Sequence, residues 1–184
     1  MSLGYIGIYE ATVLTKHCSH TAPEGRKFAM RIMDDLNAHI KKWRKETNIG
    51  FALYGTPAEN LTNLFCKIDK ARFGSIPDVT DKGYYTNSYH VDVREPINVF
   101  DKFSFEADFE DKSTGGCISY AEIPNMTHNI PAVLTMVQYI YDHITYGEFN
   151  TKLDYCHECG FDGEIILNDD NERSEERRVG KECR

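Results

Sequence analysis

One stretch of the chain, an apolar run that passes directly into a polar turn, constrains the fold more than any other. The run Ile49–Tyr54 has the length of a short strand, and the turn Gly55–Asn60 follows it at once. Apolar residues recur at helical spacing after the turn; they are Leu61, Leu64, Phe65 and Ile68. Gly74 then predicts the end of a helix. Strand, turn and helix in this order form a β/α unit, from which parallel sheets and barrels are built.

The turn has the residues of a helix start. Thr56 can serve as the N-cap, Pro57 as the first helical residue and Glu59 as the third, which together make a capping box. A helix N-terminus offers unpaired N–H groups and a partial positive charge, and Gly55 permits close approach. The turn is therefore a candidate phosphate site. Most capped turns of this kind bind nothing, and the residues alone leave both interpretations open.

Further strands and helices are expected on both sides of this unit. They are, in order, a strand at Leu3–Tyr9, a capping box at Thr21–Glu24 before a long amphipathic helix that ends near Thr47–Asn48, a turn and strand within Asp81–Arg94, a strand at Cys117–Ile123, and a helix capped by Asn129. The alternation of strands and helices predicts an α/β fold.

Reactive side chains outside the turn are expected to be structural. Cys18 and His20 are placed in a surface loop with no partner, and His90 is a satisfied structural histidine. Cys66 and Cys117 fall on a helix and a strand, which is typical of buried thiols. Neither cysteine has a neighbouring base in the sequence, so neither is predicted to be a nucleophile.

Cys156 and Cys159, followed by Gly160, give the strongest metal-binding signal. Two thiolates separated by two residues and followed by glycine can form a knuckle in which both sulfurs reach one tetrahedral zinc ion. A complete structural site needs four ligands, and no second pair follows in this sequence. We interpret residues 151–170 as an incomplete zinc-binding segment. A thiol redox pair and two uninvolved cysteines are the alternatives.

Net charge and the length of the apolar runs argue against two classes of partner, nucleic acid and membrane. The formal net charge of −8 argues against a protein that holds nucleic acid through bulk positive charge. No apolar run reaches the roughly 18 residues that a membrane span needs, so we expect a cytoplasmic protein without a membrane partner.

From Arg173 onward the sequence resembles a translated sequencing-library adapter, so residues 171–184 are expected to be a non-native or disordered tail.

Several long motifs, in order, resemble those of one enzyme family. They are Gly4–Glu10 (GYIGIYE), Tyr54–Asn60 (YGTPAEN), Val79–Pro96 (VTDKGYYTNSYHVDVREP), Ser113–Asn125 (STGGCISYAEIPN) and the pair Cys156 and Cys159. Together they resemble the C-terminal part of the anaerobic (class III) ribonucleoside-triphosphate reductases, which are glycyl-radical enzymes. The resemblance covers roughly residues 3–167 and leaves out the tail.

The resemblance implies a fold, a reaction and a set of sites. The fold is a ten-stranded α/β barrel, of which residues 1–150 supply a part. The reaction is the reduction of ribonucleoside triphosphates to 2′-deoxyribonucleoside triphosphates by glycyl and thiyl radicals. Substrate phosphates are assigned to Gly55, Thr56, Pro57, Ala58, Glu59 and Asn60. Cys156 and Cys159 become the first half of a four-cysteine zinc site. The implied partners are an activase that uses S-adenosylmethionine and an iron–sulfur cluster, and a second copy of the full-length chain.

Two parts of that chemistry have no counterpart in the matching motifs. The radical glycine and the thiyl-radical cysteine are assigned to no residue here, and Gly180 lies within the adapter-like tail. The sequence therefore predicts a truncated enzyme, without catalytic residues of its own and inactive alone. Two other hypotheses remain open: a small zinc-dependent binding module without catalytic activity, and a Cys-x-x-Cys thiol redox protein.

Overall fold

Helices alternate with short strands along the chain. The structure, a computed structural model, describes residues 1–55, 58, 60–151, 154–155 and 162–163. Its elements are β1 (Ser2–Gly4), α1 (Ile8–Lys16), α2 (Pro23–Thr47), β2 (Ala52–Tyr54), α3 (Asn60–Phe73), α4 (Val99–Glu110), β3 (Ser119–Ile123), α5 (Ile130–His143), β4 (Gly147–Thr151), β5 (Asp154–Tyr155) and β6 (Asp162–Gly163). No helix in these ranges is long and apolar enough to span a membrane.

The chain divides into two compact units. The first contains Met1–Ser119 and Met136–Gly147, and the second contains Tyr120–Thr135 and Glu148–Arg184. In the second unit β5 and β6 pair antiparallel, with Asp154 opposite Gly163. The described residues form three two-stranded sheets, β1–β2, β3–β4 and β5–β6. The α/β character is as predicted, and the ten-stranded barrel stays a prediction.

Strands β1 and β2 of the first unit are parallel, with Leu3 opposite Leu53. Parallel strands need a long crossover connection, and α1 and α2 supply it. Buried Ala29, Met33 and Ile40 lie four and seven residues apart on α2, so they share one helical face. The hydrophobic core is built from Ile8, Ala29, Met33, Ile40, Leu53, Tyr89, Val91, Phe105 and Phe109. This core supports β2 and therefore the turn that follows it.

Local start and stop signals located several helix ends correctly. Helix α2 ends at Thr47, and Asn48 caps it in the left-handed conformation with φ 55°. Gly74 follows α3 with φ 85°, as expected of a glycine that ends a helix. At the start of α5 the Ala132 N–H donates to Asn129 Oδ1 over 3.4 Å. These signals act within one helical turn, which explains why the sequence alone located them.

The predicted strand at Leu3–Tyr9 is wrong beyond its first residues. The strand is Ser2–Gly4, and α1 begins at Ile8 after Gly7, whose φ of 80° breaks the extended run. Ile8 and Tyr9 favour strands by propensity, but both are buried on α1, so tertiary packing decides the conformation.

The predicted capping box at Thr21–Glu24 is also wrong. Helix α2 begins at Pro23 with Ala22 as N-cap, and no side chain caps it. The Thr21 hydroxyl donates instead to Glu95, 74 residues further along the chain. A long-range partner has replaced the local one that the sequence suggested.

The predicted strand within Asp81–Arg94 is absent from the described residues, which form turns there. Ser88 has a φ of 41°, which an extended strand does not allow, and one isolated antiparallel bridge joins Ile6 to Asn87. Tyr89, His90 and Asp92 are nevertheless buried. We call residues 82–92 the buried loop.

His20 does not lie in a surface loop, as the sequence suggested, because it is completely buried. Its Nε2 lies 3.0 Å from the carbonyl oxygen of Tyr89. The rings of Tyr9 and Phe105 meet it edge-on, with centroids 5.7 and 4.9 Å away. Burial lowers the pKa of His20, so the ring is a neutral core residue.

The apolar stripe of α3 is present but does not form the buried face of the helix. Its four members, Leu61, Leu64, Phe65 and Ile68, are between 43 and 52 % exposed. The buried residues of α3 are Thr62 and Cys66, which face the chain around residues 80–85. There the Tyr85 N–H donates to the Thr62 carbonyl over 3.1 Å.

Candidate functional site

The junction between β2 and α3 is built around Gly55. The Gly55 N–H donates to the Gly116 carbonyl over 2.9 Å. A Cβ at position 55 would lie 2.7 Å from Tyr5 Oη, 2.8 Å from Tyr89 Cε1 and 3.0 Å from Ser113 Oγ. Only glycine fits without moving these neighbours. Close packing, rather than unusual dihedral angles, therefore requires glycine at this point.

Between Gly55 and α3 the structure describes Ala58. The Leu61 N–H donates to the Ala58 carbonyl over 3.0 Å, and α3 begins at Asn60. The helix therefore starts three residues later than the capping box predicted. Of the six predicted phosphate-binding residues, the structure places Gly55, Ala58 and Asn60 at this junction. Thr56, Pro57 and Glu59 lie outside the described residues.

A side chain from the buried loop holds this turn. The Ala58 N–H donates to Asn87 Oδ1 over 2.8 Å, across 29 residues of sequence. The Asn87 carbonyl accepts from the His90 N–H over 3.0 Å, and His90 Nδ1 lies 2.9 Å from the same oxygen. His90 Nε2 lies 2.8 Å from the carbonyl of Ile118. His90 is thus a buried structural histidine, as predicted, but because burial lowers its pKa the ring is neutral and its one N–H can donate to only one of these two oxygens.

Two tyrosines and a serine close the other side of Gly55. Tyr5 Oη lies 2.8 Å from Ser113 Oγ, and the Tyr89 hydroxyl donates to the Ile118 carbonyl over 2.9 Å. Burial raises the pKa of both tyrosines, so their hydroxyls stay protonated at neutral pH. Sequence reasoning missed Tyr5, Asn87 and Ser113 as parts of this junction, although all three fall inside the resembling motifs. It considered reactive side chains and local spacing, whereas these contacts span up to 108 residues.

An ionic cluster fixes the buried loop against α1. The side chains of Lys82, Glu10 and Asp92 are 1, 4 and 2 % exposed. Lys82 Nζ donates to Glu10 Oε1 over 2.6 Å and also to Asp92. The Thr86 N–H and hydroxyl each donate to Glu10 Oε1 over 2.8 Å. Arg94 Nε donates to Asp92 Oδ1 over 2.9 Å. Thr86 precedes Asn87, so the cluster also positions the side chain that reaches the turn.

The charged states of this cluster follow from its contacts. Burial alone would raise the pKa of Asp92, but hydrogen bonds from Arg94 and Lys82 lower it to about 2. Burial would lower the pKa of Lys82, but the two carboxylates that accept its hydrogen bonds raise it. Lys82 and Asp92 are therefore both charged at neutral pH. Their charges compensate one another inside the fold.

A cleft of about 510 Å³ opens beside Ala58. Its lining includes Tyr5, Tyr54 and the exposed α3 side chains Phe65 and Ile68. A ligand held at the turn would have space next to it.

The cysteines and other candidate metal ligands that the structure describes form no metal site. Among the residues that the structure describes, no group of three or more His, Cys, Asp or Glu side chains is placed to hold a metal ion. Cys156 and Cys159 lie outside the described residues. Cys66 is buried, and its thiol donates to the Thr80 carbonyl over 3.6 Å. Burial raises the pKa of Cys66, and that of Cys117 to about 11. The prediction of a buried thiol is confirmed for Cys66 but not for Cys117, which is only half-buried.

Comparison with known proteins identifies the family. The model of the anaerobic ribonucleoside-triphosphate reductases matches residues 1–183. The chain belongs to this family. Reductases of that name from Escherichia coli K12 and Haemophilus influenzae are each 45 % identical to it over 167 residues, and that of bacteriophage T4 is 44 % identical over 160. These matches cover 87–90 % of this chain and 24–25 % of the relatives, so the chain spans about a quarter of their length.

Solved structures of anaerobic ribonucleotide reductases share the fold. One matches with a TM-score of 0.74 and 21 % identity, over 85 % of this chain and 25 % of its own. The enzyme from Thermotoga maritima, crystallised with glycerol in the active site, matches with a TM-score of 0.74 and 20 % identity. That match covers 89 % of this chain and 29 % of the other. At this identity the likeness establishes the fold alone.

Proposed function

We propose that this chain is part of an anaerobic ribonucleoside-triphosphate reductase and that the turn Gly55–Asn60 receives the substrate's phosphates. The complete enzyme would reduce ribonucleoside triphosphates to 2′-deoxyribonucleoside triphosphates in the cytoplasm. Membership of the family and the names of its relatives support this reaction. The observation that carries the assignment of the site is the start of the 14-residue helix α3 next to a cleft of about 510 Å³ that Ala58 lines.

The position of the turn suits an anion. Helix α3 is 14 residues long, so its N-terminus carries a partial charge of about +0.5. The first turn of α3 contains no acidic residue, and Glu59, which precedes it in the sequence, would have to be engaged in the cap for an anion to bind. Hydrogen bonds to a charged group are worth about 1.5–3 kcal/mol each, enough to hold a triphosphate through a few contacts.

We further propose that Cys156 and Cys159 supply two of four sulfur ligands to a zinc ion. Two thiolates at this spacing suit tetrahedral zinc, and the remaining ligands would come from beyond the described residues. A glycyl radical, installed by an activase that uses S-adenosylmethionine and an iron–sulfur cluster, would supply the one-electron chemistry of the complete enzyme. The residues described here would bind and orient the substrate. A second copy of the complete chain would be the other partner.

Calorimetric titration of the 184-residue chain with inorganic tripolyphosphate and with ATP tests the phosphate site. We expect both ligands to bind, and Gly55→Ala to weaken both, since the new Cβ would force the turn away from Tyr5 and Tyr89. Gly50→Ala is the matched control, because a Cβ at Gly50 meets nothing within 4 Å. Circular dichroism and thermal melting establish that each variant is folded. Failure of the folded wild-type chain to bind either ligand would contradict the proposal.

A further inference from the structure

We infer that Asn87 belongs to the proposed phosphate site, where its Oδ1 holds the turn and its Nδ2 donates a hydrogen bond to the anion. The inference rests on the proposed function, because it adds one residue to that site. Asn87 lies 29 residues from Ala58 in sequence, and the two meet only through the fold.

The hydrogen bond to Ala58 fixes which end of the amide is which. A backbone N–H needs an acceptor, so the atom 2.8 Å from Ala58 N is the carboxamide oxygen. The Nδ2 group, with two donor hydrogens, is therefore the other end of the amide. Within the described part of the chain, Nδ2 makes no hydrogen bond, and Asn87 is only half-buried. A donor next to the turn thus remains available to a ligand.

Asn87 is held in place without help from the turn. Its backbone bridges to Ile6, and its carbonyl accepts from the His90 N–H over 3.0 Å. The preceding Thr86 is held by two hydrogen bonds to Glu10, which also pairs with Lys82. A side chain fixed in this way loses little conformational entropy when it binds a ligand. The amide is therefore preorganised for an anion at the turn.

The chemistry at this position favours an amide over an acid. Aspartate at 87 would keep an oxygen for the Ala58 N–H, and that charge-assisted bond would be stronger. It would also replace the donor with a negative charge facing the anion. If Asn87 merely joined the loop to the turn, aspartate would serve equally well. Asn87→Asp therefore separates binding from support.

The test compares three variants of the 184-residue chain. Asn87→Asp keeps only the acceptor, and Asn87→Leu removes both the acceptor and the donor. Asn98→Asp is the matched control, because it makes the same charge change at an exposed asparagine whose Oδ1 also accepts a backbone N–H, that of Phe100, over 3.0 Å at the start of α4. Affinity for inorganic tripolyphosphate is measured by calorimetry. Hydrogen exchange of the Ala58 amide is measured by NMR, which reports whether the turn is still held.

The expected results differ among the variants. Asn87→Asp should keep the Ala58 amide protected yet weaken tripolyphosphate binding about tenfold or more, the size of one lost hydrogen bond to a charged group. Asn87→Leu should lose both the protection and the affinity. Asn98→Asp should bind within about twofold of wild type, since the charge lies at the end of the 12-residue helix α4 that is remote from Ser113 and Gly55, about 18 Å along the helix.

Other outcomes distinguish failure of the inference from failure of the proposed function. If wild type binds, Gly55→Ala does not and Asn87→Asp binds as wild type does, the role of Asn87 is overturned and the site stands. Equal losses in Asn98→Asp and Asn87→Asp would also overturn it, since the effect would then be one of net charge. If the folded wild type does not bind tripolyphosphate, the proposed function itself is overturned.

Discussion

Replacing Lys82 by methionine should destabilise the fold more than replacing any exposed lysine. Lys82 is 1 % exposed and pairs with Glu10 and Asp92, which are themselves 4 and 2 % exposed. Methionine fills a similar volume and removes the positive charge. Both carboxylates would then remain buried without their shared cation, and neither could recover its hydration without opening the buried loop.

The contacts that remain set the magnitude. Removing one partner of a buried ion pair costs about 3–5 kcal/mol. Here Asp92 keeps the hydrogen bond from Arg94, and Glu10 keeps the two from Thr86. Lys82 Nζ also lies 4.5 Å from the centroid of the Tyr9 ring, and that cation–π contact would be lost. We therefore expect a loss of about 3 kcal/mol, a large share of the 5–15 kcal/mol typical of a domain.

Urea unfolding followed by circular dichroism measures this loss, with the slope of the transition as a check that the unfolded state is unchanged. Lys27→Met is the matched control. Lys27 also pairs with a carboxylate, that of Glu24, but the two side chains are 74 and 75 % exposed. Exposed pairs contribute at most about 1 kcal/mol, so this variant should stay close to wild type.

A third variant separates loss of charge balance from loss of packing. Combining Lys82→Met with Glu10→Gln and Asp92→Asn removes all three charges and should recover part of the lost stability, because no uncompensated carboxylate remains. If Lys82→Met is as stable as Lys27→Met, the cluster does not hold the loop and the reasoning is refuted. If the triple variant recovers nothing, loss of packing rather than charge explains the cost.

Two further predictions concern acid and metal. The hydrogen bonds to Asp92 lower its pKa from 3.8 to about 2, so the stability it contributes is present above pH 4 and is lost as the pH falls towards 2. That loss is about 2 kcal/mol and should be absent from Asp92→Asn, when unfolding is measured by urea titration at a series of pH values. For the metal, Cys156→Ser should lower the zinc content measured by mass spectrometry after dialysis, whereas Cys18→Ser should not. Equal zinc in both variants would contradict the proposed ligand.

The sequence predicted those parts of the fold that depend on neighbouring residues. The end of α2 at Asn48, the strand β2, the close of α3 at Gly74 and the start of α5 at Asn129 all follow from signals within a few residues. These are the positions where local preference and tertiary packing agree.

The failures occur where a distant partner decides the conformation. Thr21 was expected to cap α2, but Glu95 accepts its hydroxyl instead. Alternating β-formers predicted a strand through the buried loop, but the positive φ of Ser88 is incompatible with one, and Lys82 ties the loop to Glu10, 72 residues away in the sequence. His20 was assigned to the surface because nothing near it in sequence indicates the rings of Tyr9 and Phe105. No local pattern contains this information.

In the candidate site, too, some features follow from neighbouring residues and others from distant contacts. Gly55, Ala58 and Asn60 follow from the strand–turn–helix pattern, although α3 starts later than predicted. The neighbours that make glycine necessary at position 55 come from three distant parts of the chain, at residues 5, 89 and 113. A local motif could therefore locate the turn, but only the fold reveals what holds it.

The stability of the buried loop and the proposed binding of phosphate are consequently linked. Lys82 holds Glu10, Glu10 holds Thr86, and Thr86 precedes the asparagine that reaches Ala58. Each step is a hydrogen bond or a peptide bond, so a displacement of the loop must displace the Asn87 amide. A charge cluster that contacts no ligand can thus determine whether the turn offers its donors in the right place, because a small error in position sharply reduces the value of a hydrogen bond.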